Sequence, residues 1–175
     1  GMNSGGAHCL KYGVTTNNIM GMTVVLADGE VIEIGGDFYE TDGYDLMGLM
    51  TGSEGMLGIV TEVSLKVLRS PEAARPLIMG FGTNEQAGAC TAAIIASGII
   101  PVAIEFMDKP SIHASEAFAK AGYPLDVESL LIVEVEGSDD EIDYLLEKLT
   151  AIASQHNPSY MKVSGSAEES AAIWK

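Results

Sequence analysis

The stretch Leu77-Ile78-Met79-Gly80-Phe81-Gly82-Thr83-Asn84-Glu85-Gln86 decides how the second part of the chain is read. Its first five residues form a short apolar strand. Thr83 and Gln86, three positions apart, match a helix capping box. A helix should follow to about Ser97, with Gly98 as its stop. Beyond it, Pro101 to Met107 reads as a strand, since proline is tolerated at a first strand position. Lys109 to Ala121 is predicted helical, with Pro110 in the first turn. Leu130 to Val135 is a third strand. Ser138 and Glu141 form a second capping box, after which Ile142, Leu145, Leu146, Leu149 and Ile152 mark one helical face. Tyr160 to Val163 closes the series as a fourth strand. Strand–helix–strand, taken twice, is the order of a ferredoxin-like split βαβ unit.

Toward the N-terminus the texture changes. Gly1 ahead of Met2 has the form of a protease scar and is left out of the fold argument. Asn3 to Asn18 is polar and without period, and reads as loop. Met22 to Leu26 and Val31 to Ile34 are β-type runs around Asp28-Gly29, a hairpin signal. Asp42 to Met50 suggests a short helix with Asp42 as its cap. Gly58 to Leu68 alternates as a long strand, and Ser70 to Pro76 reads as a linker. The expectation is an α+β chain separable near Ser70 to Pro76.

The chain has 175 residues, and 47% of them are hydrophobic, so it can bury a core. Its formal charge of −16 repels phosphate backbones and anionic lipid, which argues against nucleic-acid and membrane-surface binding. The acidic excess reads as solvated turns and helix faces. Ala87 to Ile104 runs 18 residues without a charge, near the lower limit for a membrane span. Gly98 and Pro101 interrupt it, so a buried helix leading into a strand is the better reading, and no transmembrane segment is expected. Cys9 and Cys90 have neither disulfide nor metal spacing and read as reduced thiols of a cytoplasmic protein.

No self-contained catalytic machinery is visible. His8, His113 and His156 lack metal-ligand spacing. Ser53 is preceded directly by Gly52, so there is no nucleophile elbow. Gly80-Phe81-Gly82 follows a strand, but Glu85 breaks the dinucleotide fingerprint. No catalytic residue and no metal ligand is assigned. Two glycine clusters remain: Asn3-Ser4-Gly5-Gly6 with Lys11-Tyr12-Gly13, and Gly52-Ser53-Glu54-Gly55-Met56-Leu57-Gly58-Ile59-Val60-Thr61-Glu62. Glycines let a backbone approach a ligand and present N–H groups to it, and they are equally the default residues of tight turns.

The block Ala7 to Asn18 and the block Gly52 to Glu62 closely resemble the FAD-linked oxidases of the glycolate oxidase and D-lactate dehydrogenase group, within the vanillyl-alcohol oxidase-like flavoproteins. Met56 stands where that family usually has Thr. The resemblance implies the second subdomain of a PCMH-type FAD-binding domain over residues 2–70. It implies a partial ferredoxin-like cap domain over residues 71–175. It assigns Asn3, Gly5, Gly6, Gly13, Glu54, Gly55, Gly58, Ile59 and Val60 as the cofactor-facing set. The implied cofactor is FAD, and the implied reaction is hydride transfer from C2 of a D-2-hydroxy acid of the glycolate or D-lactate class.

Such enzymes are far longer, so the resemblance further implies a central fragment without the main pyrophosphate loop or the substrate histidines. Charge-assisted contacts of the kind lost with that loop contribute roughly 1.5–3 kcal/mol each. The isolated chain is therefore expected to be inactive and to hold FAD weakly or not at all. A non-catalytic α+β module stays open as an alternative, as does one chain of a split flavoenzyme completed by a partner subunit. Unpaired strand edges would favour self-association.

Overall fold

In a computed structural model, residues 1–36 and 43–175 are described. The chain divides into two compact units, Gly1–Arg69 and Ser70–Lys175.

The first unit is built on a three-stranded antiparallel sheet of order β2-β1-β3, with β1 at Ile19–Val25, β2 at Val31–Gly35 and β3 at Ile59–Leu65. The Asp28-Gly29 signal holds. Gly29 N–H donates to the Leu26 carbonyl at 3.0 Å and Leu26 N–H to the Glu30 carbonyl at 2.8 Å. With Gly29 at φ +87°, this is a three-residue hairpin loop closed by a left-handed glycine. One sheet face supplies Met22, Val24 and Ile34 to a core completed by Ile19 and by Met47 and Met50. Those two methionines come from helix α2, Leu46–Met50.

Several boundaries differ from expectation. Asn3 to Asn18 is not all loop: it holds a helical turn, α1, at Cys9–Tyr12 and a 3₁₀ turn at Thr15–Asn18. β1 begins at Ile19 rather than Met22, and β3 ends at Leu65 rather than Leu68. The expected cap Asp42 lies outside the described residues. The side chain that caps α2 is Asp45, which accepts from the Gly48 amide at 2.8 Å.

The second unit is a four-stranded antiparallel sheet of order β5-β6-β4-β7, with β4 at Ala73–Phe81, β5 at Ala103–Asp108, β6 at Ser129–Gly137 and β7 at Tyr160–Val163. Helix α3, Asn84–Ala96, joins β4 to β5, and α5, Asp139–Ser154, joins β6 to β7. This is the strand order of the ferredoxin-like unit. Helix α4, Lys109–Ala119, is inserted before β6, and α6, Ala167–Ile173, follows β7.

The second capping box is complete, and of the first only the Thr83 cap forms. Thr83 accepts from the Gln86 amide. Ser138 and Glu141 bond reciprocally, with Glu141 accepting from the Ser138 amide at 2.9 Å. Asp108 caps α4 through the Ser111 amide. That helix ends at Ala119, before the expected Ala121, because Lys120 turns left-handed at φ +52°.

One face of this sheet, through Leu77, Met79, Leu131 and Val133, packs on α3 and α5. The other, through Ile78, Leu130 and Ile132, packs on Ile112, Tyr123, Val127 and Ile173. Burial on both sides explains the unbroken apolar run of β6.

The expected linker Ser70 to Pro76 is the largest correction. Ala73 to Pro76 belong to β4 and pair with Gly137 to Glu134. Pro76 is accommodated in a central strand because its carbonyl accepts from Ser164 N–H at 3.0 Å just past the end of β7. Its missing N–H thus falls where the ladder has stopped. Pro101 lies outside β5, which starts at Ala103.

Candidate functional site

Nine residues of the first unit form the candidate flavin-facing set, and each owes its place to local chemistry. Asn3 sits at φ +52°, a region asparagine tolerates. Its Oδ1 accepts from the Thr16 amide at 2.9 Å and the Thr16 hydroxyl at 2.8 Å. The Ser4 carbonyl accepts from the Thr15 hydroxyl at 2.8 Å. The Asn3-Ser4 backbone is therefore strapped to the 3₁₀ turn.

Gly6 starts α1 by accepting from the Cys9 amide at 2.9 Å. Gly13 ends it at φ +75°, where a Cβ would lie 2.5 Å from Asn17 Oδ1. Asn18 Nδ2 donates to the Tyr12 and Val14 carbonyls at 3.1 Å each. Thr15, Thr16, Asn17 and Asn18 thus hold the loop, a role the sequence reading did not assign. Their type was a usable signal, since short polar side chains commonly bond to nearby backbone.

The second cluster follows α2. Met56 N–H donates to the Ser53 carbonyl at 3.0 Å. Gly52, Glu54 and Gly55 all have positive φ, at +93°, +54° and +83°. Gly58 runs hard against β1: a Cβ there would stand 2.7 Å from Val24 Cγ1 and 3.0 Å from the Val25 carbonyl oxygen. Ile59 is exposed, whereas the Val60 side chain packs into the core beside Met22 and Val24. Anything Val60 offers a ligand must come from its backbone.

The fold brings the two clusters together at Asn3 and Gly52, since a Cβ on Gly52 would sit 3.4 Å from Asn3 Cβ. Gly5 packs within its own loop against Val14 and Cys9. Among the described residues the N–H groups of Gly5, Gly6 and Gly55 donate no intramolecular hydrogen bond, and the space a Gly6 side chain would fill is open. Open backbone with free N–H groups is what an anionic or carbonyl-bearing cofactor needs, so these residues fit a flavin dinucleotide. A hollow of about 240 Å³ lies on the sheet and is lined by Gly21, Thr23, Glu33, Gly35, Glu62 and Ser64 among others. None of the nine candidates lines it.

Elsewhere the chemistry is quiet. No group of His, Cys, Asp and Glu suited to a metal is found among the described residues. Burial raises the Cys90 thiol to about 11, which makes it inert, whereas Cys9 is exposed. No helix among the described residues is long and apolar enough to cross a membrane.

Residues 70–175 match the family model of FAD linked oxidases, C-terminal domain, and the chain is a member of that family. It is 41% identical over 172 residues to glycolate oxidase subunit GlcD of Escherichia coli, covering 98% of this chain and 34% of that protein. It is 37% identical to GlcD of Bacillus subtilis, covering 98% and 37%. It is 34% identical to D-lactate dehydrogenase of Anaerostipes hadrus, covering 86% and 33%. The chain thus spans about a third of the length of these relatives. Among solved structures, alkyldihydroxyacetonephosphate synthase superposes with a TM-score of 0.76 at 23% identity, covering 94% of this chain and 32% of that one. The likeness shows that the fold is shared.

Proposed function

We propose that the chain is part of a flavin-dependent oxidoreductase acting on a D-2-hydroxy acid of the glycolate or D-lactate class. Residues 2–70 would be the second FAD subdomain and residues 71–175 part of the cap. The observation that carries this reading is the match to glycolate oxidase subunit GlcD, which runs through both glycine clusters. FAD, when bound, supplies the hydride acceptor.

The chain's own part is to hold and orient. Asn3, Gly5, Gly6 and Gly13 would follow the cofactor with backbone groups, and the amides of Gly5 and Gly6 would donate to it. Glu54, Gly55, Gly58, Ile59 and Val60 would form the opposite contact. The left-handed pair Glu54-Gly55 makes a tight turn whose Gly55 amide would be free to donate to the cofactor. Within the described residues no histidine–arginine constellation stands ready to take a hydroxyl proton and hold a carboxylate. The 175-residue chain by itself is therefore expected not to turn over glycolate or D-lactate. The relatives named as subunits favour a chain that works alongside others.

The test is a flavin titration of the purified chain, followed by absorbance and gel filtration. Weak FAD binding that Gly6→Ala abolishes supports the assignment. Binding indifferent to Gly6 and Gly55, or none at millimolar FAD, rejects these loops as a self-sufficient cofactor surface. Turnover of either acid with an artificial electron acceptor would overturn the expectation of inactivity.

A further inference from the structure

The four-stranded sheet buries one carboxylate, Glu134 of β6. Residues 129–135 of β6 are all buried, and apart from Ser129 and Glu134 they are apolar. Glu134 is 6% exposed. A carboxylate withdrawn from water is rarely repaid in full by its partners, and an apolar residue of the same size often serves a core better. What Glu134 does provide is a directional acceptor: its Oε1 receives the indole N–H of Trp174 at 2.8 Å.

Trp174 follows directly on α6, whose seven residues bury a single side chain, Ile173. A helix this short has little stability of its own, so its place is set by its attachments. Ile173 joins Ile78 and Ile132 in the second-face core, and its carbonyl accepts from the Tyr123 hydroxyl. Glu169 pairs with Lys162 of β7. Apolar packing through Ile173 and Trp174 is non-directional, whereas a hydrogen bond from the indole ring to a fixed carboxylate adds a directional restraint at the end of the helix.

We propose that Glu134 is a positioning residue. It is a buried acceptor that holds Trp174, and with it the end of α6, at one place on the second face of the sheet.

Trp174 is the one tryptophan of the chain, so its fluorescence reports this site alone. The experiment compares Glu134→Met, which keeps the volume and removes the acceptor, with Glu134→Gln, which keeps an acceptor. The expected result for Glu134→Met is an unchanged or higher melting temperature and a red-shifted Trp174 emission. Amide exchange at Ser170 and Trp174 should rise about tenfold, the factor that one net hydrogen bond corresponds to, while β4 and β6 stay protected. Glu134→Gln should restore the emission and most of the protection. Trp174→Phe, which removes the donor from the other side, should speed exchange in α6 to the same degree. Unchanged emission and exchange in Glu134→Met would overturn the proposal. So would a uniform loss of protection across the sheet, or failure of that variant to fold, since either would make Glu134 a support of the sheet.

Discussion

Asn3 Oδ1 accepts both the amide and the hydroxyl of Thr16, at 2.9 and 2.8 Å, across thirteen positions of chain. This one oxygen ties the segment that meets Gly52 to the turn that leads into β1. Asn3→Ala should remove both bonds and place an alanine at φ +52°. The expected loss of local stability is about 1–3 kcal/mol, read as faster exchange of the Thr16 amide. Asn3→Gly, which tolerates the backbone, should lose less. Equal effects of the two would show that the side-chain bonds alone matter.

Two glycines of the candidate set should behave in opposite ways. Gly58→Ala forces a Cβ to within 2.7 Å of Val24 Cγ1 and should destabilise the first unit by about 1–3 kcal/mol in urea unfolding. Gly6→Ala meets no atom within 4 Å and should leave the unfolding midpoint unmoved. A shifted midpoint for Gly6→Ala would mean that the loop is packed rather than open.

The two thiols should differ in reactivity. Burial holds Cys90 protonated up to about 11, while Cys9 is exposed. A thiol-disulfide reagent at pH 8 should titrate one thiol in the native chain and two after denaturation. The sign of the linkage follows. The folded thiol binds its proton more tightly than the ordinary value of 9.0. Its contribution to stability is therefore complete below that value and is lost as pH rises toward about 11. Chemical unfolding followed from pH 8 to 11 should show this decline, and Cys90→Ala should flatten it.

Ser138→Ala should cost about 1 kcal/mol, because it removes the acceptor that Glu141 N–H uses. Circular dichroism melts of the variant against the parent check this. Adding Glu141→Gln should have little further effect, since the two side chains act as one box.

The ferredoxin-like order of the second unit was legible because each of its signals is local. Thr83 and Gln86, or Ser138 and Glu141, need only a few residues of chain to declare a helix start. Their face-forming partners Ile142, Leu146 and Leu149 recur at a period set by the helix itself. The hairpin at Asp28-Gly29 was legible for the same reason. Composition marked the glycine blocks around Gly5 and Gly55 as tight turns or open backbone, and the family resemblance alone made them cofactor-facing candidates.

What the chain could not declare locally was decided by partners distant in sequence. Ala73 to Pro76 has the composition of a linker, and only the antiparallel register against Glu134 to Gly137 makes it strand. Glu134 looks like one more surface acid among many until the sheet buries it and Trp174 reaches it, forty positions away. Asn3 reads as a loop residue until Thr16 holds it beside Gly52. Local propensity and periodicity are properties of a few neighbouring residues and survive in the sequence. Pairing register, burial and the meeting of two loops depend on which distant segments share space, and that is settled when the sheets assemble.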